Sequence, residues 1–526
     1  MGFLDAPGIP KTLADARYQF LPPARIAFIG DSITGFGLGF PRGTSTPEPS
    51  WFLWLGGISY NMPTGSSLIE FRAADNHVRW TAPGDSAGPW TALRAGHNWL
   101  DSGTAGVNNR LCIGVKYDFL PTTDASYSMT VTTSNRAQFS TSFWNNAQTF
   151  MGQRLKIVGR WGIGGDRTRH MLARIDQVFS GIDELGQPAE LPGYVCILGG
   201  TNDTGADSML AADFVQNYAD MVDYVLRRGA IPILCTIPAR GSPLVSQQTE
   251  TYNANTYIRN LAASDSRIIL ADFYAVSVDP GNSDGRVLTN YMSDGVHPSN
   301  LGGFILGKEL ARVILPKIGG LVGRATYRWN GEPLNKQPNG TLTGTGGTSS
   351  HPPAGAPTQQ VADGYTAQRS GGTTLTVSAT KEAVTGESAW QVLTCAGASS
   401  GDTMQFARTS HPGPVSLSLA AGDTIYAEAE FEVSNAIALR HVGLTIQLYD
   451  GTFGMNISAF TAQSSGTSNF SLPTSSAYSG VFRTPTVVIP SATTVSQIRN
   501  LLQAAFNSGG EAVIKIRNIN LIKVES

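Results

Sequence analysis

The chain has 526 residues, 41% of them hydrophobic and only 14% charged, with 59 glycines. That length exceeds what one hydrophobic core holds, so two or three domains are expected, and the glycine content favours loops and β-rich modules over long helices. A net charge of −2 offers neither a basic face for nucleic acid nor a polybasic patch for a membrane surface.

Residues 1–24 read as an irregular leader segment interrupted by Pro7, Pro10, Pro22 and Pro23. Met1 to Ala6 has no basic stretch leading into an apolar one, so no signal peptide is expected, and Ala6 stands where a myristoylation motif needs Ser or Thr. No uninterrupted apolar run approaches the roughly 18 residues of a membrane span. The first strand follows at 25–30, where Ile26-Ala27-Phe28-Ile29 is continuously apolar and stops at Gly30-Asp31-Ser32. Gly30 would permit a tight turn there. Open α/β sheets hold reactive groups just outside the carboxyl ends of their strands, which is where this places the Ser32 hydroxyl. Ser50 to Leu55 is the expected helix after that turn.

From about 60 to 150 the pattern becomes a β-rich insertion. Leu68–Arg72, Asn109–Val115 and Tyr127–Thr133 read as short strands between Gly, Asn, Asp and Ser. Seven of the nine tryptophans (Trp51, Trp54, Trp80, Trp90, Trp99, Trp144 and Trp161) lie in or beside it, and most are expected to fill a small β core. An α/β rhythm returns with a strand at Leu155–Val158, a helix over about 168–180 and a strand at Tyr194–Leu198. An amphipathic helix over 208–228 carries Leu210, Phe214, Tyr218, Met221, Val222 and Val225 on one face. A strand at Ile231–Ile237, a helix at about 248–263, a strand at Ile268–Leu270 and a helix at about 300–315 complete it. Alternation of this kind predicts a parallel sheet covered on both faces. Residues 335–362, rich in Gly, Thr and Pro, are expected to be a linker. The region 363–526 alternates like an antiparallel sandwich: in Ile425 to Val433 the glutamates 428, 430 and 432 would face water.

Four loop segments carry reactive residue types: Gly30-Asp31-Ser32, Gly162 to Thr168, Gly199 to Asp203, and Asp294-Gly295-Val296-His297. Each flanks an apolar strand, so each would lie at one edge of the sheet. Acyl transfer needs a nucleophile, a base, a group that orients the base, and donors for the developing oxyanion. Ser32 can attack if His297 takes its proton, and Asp294, three residues earlier, can reach the imidazole across one turn. Gly165 can offer a bare backbone N–H, Asn202 an amide and Ser32 its own N–H.

These four blocks resemble those of the SGNH (GDSL) hydrolase superfamily over roughly residues 25–45 and 155–320. The resemblance implies a flavodoxin-like parallel sheet with Ser32 as nucleophile, Gly165 and Asn202 in the oxyanion hole, and Asp294 with His297 completing the triad. The β-rich insertion is a departure that alters the acyl pocket. The expected organisation is a leader at 1–24, a hydrolase domain at 25–334, the linker, and a jelly-roll-like sandwich at 363–526 able to bind carbohydrate.

Other candidates are set aside. Gly84-Asp85-Ser86-Ala87-Gly88 and Gly397-Ala398-Ser399-Ser400-Gly401 match a nucleophile-elbow pattern, but the first lies between Pro83 and Pro89 with no strand before it, and the second is a polar loop. Asp31, Asp166 and Asp203 are expected to bond backbone N–H groups at the turns, and His170 to occupy a solvated helix position. Cys196 and Cys235 read as packed thiols. The histidines lack ligand spacing, so no metal and no cofactor are expected. The function expected is an esterase removing O-acyl groups, acetyl in particular, from a polysaccharide. Alternatives are a lipase or thioesterase of longer acyl chains, or a glycan-binding virion protein. The leader and the Gly/Thr-rich β-module are similar to tail-spike-like deacetylases of bacteriophages, which implies an extracellular or virion-associated protein, with the cytoplasm as alternative. Expected partners are an acylated polysaccharide and, through β contacts, a second copy of the chain.

Overall fold

The computed structural model describes residues 24–35, 65–101, 142–184, 188–204, 211–318, 335–385, 387–449, 477–484 and 495–524, with shorter stretches at 43–44, 52–57, 103, 110–115, 122–131, 186, 454–458, 470–474 and 486–489. The leader 1–23 and Leu210 lie outside them.

Five strands form one parallel sheet: β1 (Ala24–Gly30), β2 (Leu155–Gly162), β3 (Tyr194–Leu198), β4 (Ile231–Cys235) and β5 (Ile269–Ala271), in the order β2-β1-β3-β4-β5. β1 is flanked on both sides, and Ile26, Ala27, Phe28 and Ile29 are completely buried. Burying each large apolar side chain is worth roughly 1.5–3 kcal/mol, so the first strand in the chain anchors the sheet.

The flanking helices are α1 (Phe143–Phe150), α2 (Thr168–Ala173), α3 (Ala211–Arg227), α4 (Val245–Ser264) and α5 (Asn300–Ile314). Phe214, Tyr218, Met221, Val222 and Val225 of α3 enter one core with Ala27, Ile29, Val195 and Ile197. On the other face Leu306, Leu310 and Ile314 of α5 join Ile26, Phe28, Phe143 and Ile233. Alternate residues of β1 therefore serve two cores. Cys196 and Cys235 are buried, with their sulfurs 3.3 Å apart.

The insertion forms two antiparallel sheets. One joins Gly65–Arg72, His77–Thr81 and Ala125–Val131 with two two-residue strands; the other joins Phe52–Gly57, Gly96–Asp101 and Arg110–Val115. The expected helix at Ser50–Leu55 is therefore a strand from Phe52, since consecutive apolar residues fit a buried strand as well as a helix. Trp80 fills the small β core with Ile69, Val78 and Leu111. Trp144 and Trp161 instead belong to the α/β cores, through α1 and β2. The expected helix at 168–180 is α2 followed by a separate 3-10 turn, Ile175–Phe179.

Among its described residues the C-terminal region forms one β-sheet of ten strands, so the chain is α/β with a second β domain. Its frame is an antiparallel pair of long strands, β6 (Thr424–Tyr449) and β7 (Gln497–Lys523). The two strands expected at 425–433 and 442–449 are one, kinked where Asn435 and Ala438 take positive φ and the register shifts. Glu428 and Glu430 do not face water. Both are buried, paired with Arg483 at 2.9 Å and Arg517 at 2.8 Å, because arginines from adjacent strands cover that face. The expected linker 335–362 also differs. Lys336 N–H donates to the Leu521 carbonyl, and Gly346–Ser349 pairs in parallel with Val361–Gly371, so this stretch lies along the sheet. Asn335 and Gln337 fix it, by accepting from Leu521 N–H and donating to the Tyr365 hydroxyl.

Candidate active site

Ser32 begins a single helical turn, Ser32–Gly35, directly beyond β1. Gly30 precedes it because of space and not because of a left-handed backbone. A Cβ there would sit 2.1 Å from Thr34 Oγ1 and 2.5 Å from the Leu198 carbonyl. The turn is held by Asp31 Oδ1, which accepts from Ile33 N–H at 2.9 Å, and by Trp144 of α1, whose indole N–H donates to the Thr34 carbonyl.

His297 and Asp294 come from the loop between β5 and α5. Ser293 N–H donates to the His297 carbonyl, and Gly241 N–H donates to the Gly295 carbonyl, tying this turn to the loop after β4. Asp294 Oδ1 accepts from the N–H groups of Val296 (3.0 Å) and His297 (2.8 Å), and Asp294 Oδ2 lies 2.7 Å from His297 Nδ1. His297 Nε2 lies 2.8 Å from Ser32 Oγ. Burial raises the Asp294 carboxyl pKa, but the His297 and Val296 hydrogen bonds outweigh it and hold the carboxyl below its ordinary range. The Asp294 side chain is 56% exposed and that of His297 24%, so the relay opens to solvent.

Gly165 and Asn202 occupy the loops after β2 and β3, the two neighbours of β1, and so flank Ser32. Gly165 has φ of +73°, a conformation side chains disfavour. The Asn202 amide donates to the carbonyl of Asp166, beside Gly165, at 2.8 Å, which joins the two loops and leaves its second hydrogen for another acceptor. All five residues expected at the site thus gather at one sheet edge.

Residues 101–303 match the family model of the GDSL-like lipase/acylhydrolase family. The chain contains a GDSL-like acylhydrolase domain. The matched segment starts inside the insertion, so Ser32 lies outside it, on the far side of the β-rich sheets. No curated protein matches the chain. Among solved structures it is similar to a GDSL-like lipase from Bacteroides thetaiotaomicron, at 19% identity over 33% of this chain and 81% of that one, TM-score 0.26. It is also similar to a peptidoglycan O-acetylesterase (13% identity, 59% of this chain and 95% of that one, TM-score 0.27). A third is the enzymatically active domain of bacteriophage CBA120 tailspike protein 4 (12% identity, 31% and 20%, TM-score 0.21).

Beneath the acylhydrolase domain's serine turn lies a buried polar layer that the sequence did not disclose. Arg174 is 2% exposed. Its guanidinium donates to Asp166 at 2.8 Å, to the Trp161 carbonyl at 2.8 Å and to the Gly30 carbonyl at 2.8 Å. It therefore pins the carboxyl ends of β1 and β2. Asp203 accepts from Thr168 N–H and Oγ1, and Arg240 donates to the Thr201 carbonyl. Of the three aspartates expected to bond turn amides, Asp31 bonds Ile33 N–H and Asp203 bonds Thr168 N–H, and Asp166 meets Arg174. His170 is buried, not solvated, because its Nδ1 accepts the Arg167 N–H at the start of α2. In the sequence, Arg174 interrupts the apolar run Met171 to Ile175; a lone arginine there is the one available signal.

Burial pushes the Asp31 carboxyl up to about 7; the Ile33 amide opposes this, and the charges of Asp203 and Asp166 add to it. A carboxyl that ionises near pH 4 when unfolded but keeps its proton to about pH 7 when folded withdraws stability as pH rises across that interval. Asp31→Asn removes the titration. Urea unfolding should therefore show the variant gaining on the wild type, by an amount on the order of a few kcal/mol, between about pH 4 and about pH 7.

Proposed function

We propose that the protein is a serine esterase that hydrolyses O-acyl esters, acetyl esters in particular, on a polysaccharide. The observation that carries this reading is the unbroken relay from Ser32 Oγ through His297 to Asp294, at 2.8 and 2.7 Å. His297 Nε2 takes the Ser32 proton as Oγ attacks the acyl carbon. Asp294 keeps the other ring nitrogen protonated and stabilises the imidazolium. The oxyanion falls to the N–H groups of Ser32 and Gly165 and to the free hydrogen of the Asn202 amide. His297 then gives its proton to the departing sugar oxygen. Water, deprotonated by the same ring, releases the acid and restores Ser32.

The solvent-facing relay suits an ester carried on a large polymer, which could not enter a deep pocket. The C-terminal β unit supplies further surface for the glycan. Acetate release from O-acetylated bacterial polysaccharides, compared with a chain-length series of p-nitrophenyl esters, tests the assignment. Preference for acyl chains well beyond acetyl would overturn it in favour of a lipase or thioesterase. The feature favouring that rival is the exposed apolar pair Leu244 and Val245, three and four residues beyond Gly241, which bonds Gly295.

Asn202→Ala should lower kcat about 100- to 1,000-fold with little change in KM, since its amide acts on charge that develops only in the transition state. Steady-state kinetics on p-nitrophenyl acetate would measure this.

A further inference from the structure

The acylhydrolase unit and the C-terminal sheet meet at a bonded joint. Gln153 donates to the Val481 carbonyl at 2.7 Å. Asn300, the first residue of α5 and three beyond His297, donates to the carbonyls of Arg440 (2.9 Å) and Phe470 (2.7 Å) and accepts from Phe470 N–H (2.9 Å). Beside these bonds lies a cavity of about 20 Å³ walled by Phe150, Phe304, Phe431 and Leu472, room for one or two water-sized particles.

Five polar side chains line this space with them, Asn146, Asn300, Arg440, His441 and Tyr478, and of these Arg440 and Tyr478 are each 8% exposed. The Nε and Nη2 atoms of Arg440, the guanidinium edge that grips anions at two points, are buried without an acceptor, as is the Tyr478 hydroxyl. Among the described residues no Asp or Glu pairs with Arg440. Nor, among the described residues lining the cavity, does any carry negative charge. His441 is held neutral, pushed down to about 3 by burial and the Arg440 charge. A guanidinium cannot escape by losing its proton, and a desolvated cation costs several kcal/mol unless a counter-charge meets it. Tyr478 is fixed in place, its ring edge-on to Phe304 at 5.0 Å.

We propose that this cavity is a binding site for a small inorganic monoanion of halide size, gripped by the Arg440 Nε/Nη2 edge and the Tyr478 hydroxyl. The anion completes the joint that also holds Asn300, and binds independently of whatever ester Ser32 cleaves.

The full chain is titrated with chloride at constant ionic strength, using gluconate as a balancing anion too large for the cavity, and its melting temperature is followed. The expected result is a saturating rise of about 2–5 °C. Tyr478→Phe keeps the ring and loses one donor, so its midpoint should move to roughly fivefold higher chloride; Arg440→Gln should show no saturating rise. In crystals soaked in bromide, anomalous density should lie between Arg440 and Tyr478. No saturation in the wild type, an unchanged midpoint in Tyr478→Phe, or no anomalous density at high bromide would each overturn the proposal and leave a water-filled void. Should Arg440→Gln not fold, Tyr478→Phe and the bromide density decide.

Discussion

Ser32→Ala should lower kcat on p-nitrophenyl acetate by at least about 10,000-fold, with the melting temperature nearly unchanged. Without Oγ no acyl-enzyme forms, and what persists is the modest rate that binding and oxyanion donors give to attack by water. His297→Ala should cost about as much, because the hydroxyl is a poor nucleophile without a base 2.8 Å away. Combining the two should cost little more than either alone, since residues acting as a unit are not additive. Asp294→Asn should cost less. Its side chain is more than half exposed, so water can partly replace it on the imidazolium. Losses that simply multiplied in the double variant would show that Ser32 and His297 act separately, against the relay.

Arg174→Met should be the most destabilising single change in the acylhydrolase domain, by about 3–5 kcal/mol in urea unfolding. Methionine matches the length of the buried stem but leaves Asp166 facing an apolar group. It also removes the donors to the carbonyls of Trp161 and Gly30. Arg174→Lys keeps the charge but cannot hold three acceptors at fixed angles, so an intermediate loss is expected. Because the Gly30 carbonyl ends the strand that presents Ser32, the lysine variant should also lose kcat. A variant as stable as the wild type would show that the layer beneath the serine turn is not under this control.

The legible parts of the sequence were those where one element satisfies one simple pattern. Ile26–Ile29 is apolar at every position because both faces of β1 are covered, and α3 shows a clean stripe because only one of its faces is. The site loops were readable since each joins a strand end to a particular reactive residue. The misread parts are those where a partner distant in sequence decides. Glu428 and Glu430 look solvated until Arg483 and Arg517 arrive from other strands. Phe52 to Gly57 is a strand only because Arg110–Val115 pairs with it. The helix α1 was missed because Asn145 and Asn146 mask the spacing of Phe143, Ala147 and Phe150. The arginines were hard to place for a different reason: a buried guanidinium has the same letter as an exposed one, and only the acceptors it meets tell them apart.

The placement of β1 has a consequence for how the molecule comes into being. The strand is made first yet sits inside the sheet, between β2 and β3, and 265 residues separate Ser32 from His297. At about 5–20 residues per second, the ribosome needs roughly 13 to 53 s to travel from one to the other. Until β2 and β3 have emerged, in the first part of that interval, the apolar β1 has no lasting place in a sheet, and the emerging polypeptide must keep it from pairing with the edges of the β-rich insertion, which appears before either neighbour does. Hydrolytic competence therefore marks a late moment in biogenesis, and chaperone demand should be greatest while the insertion is leaving the exit tunnel.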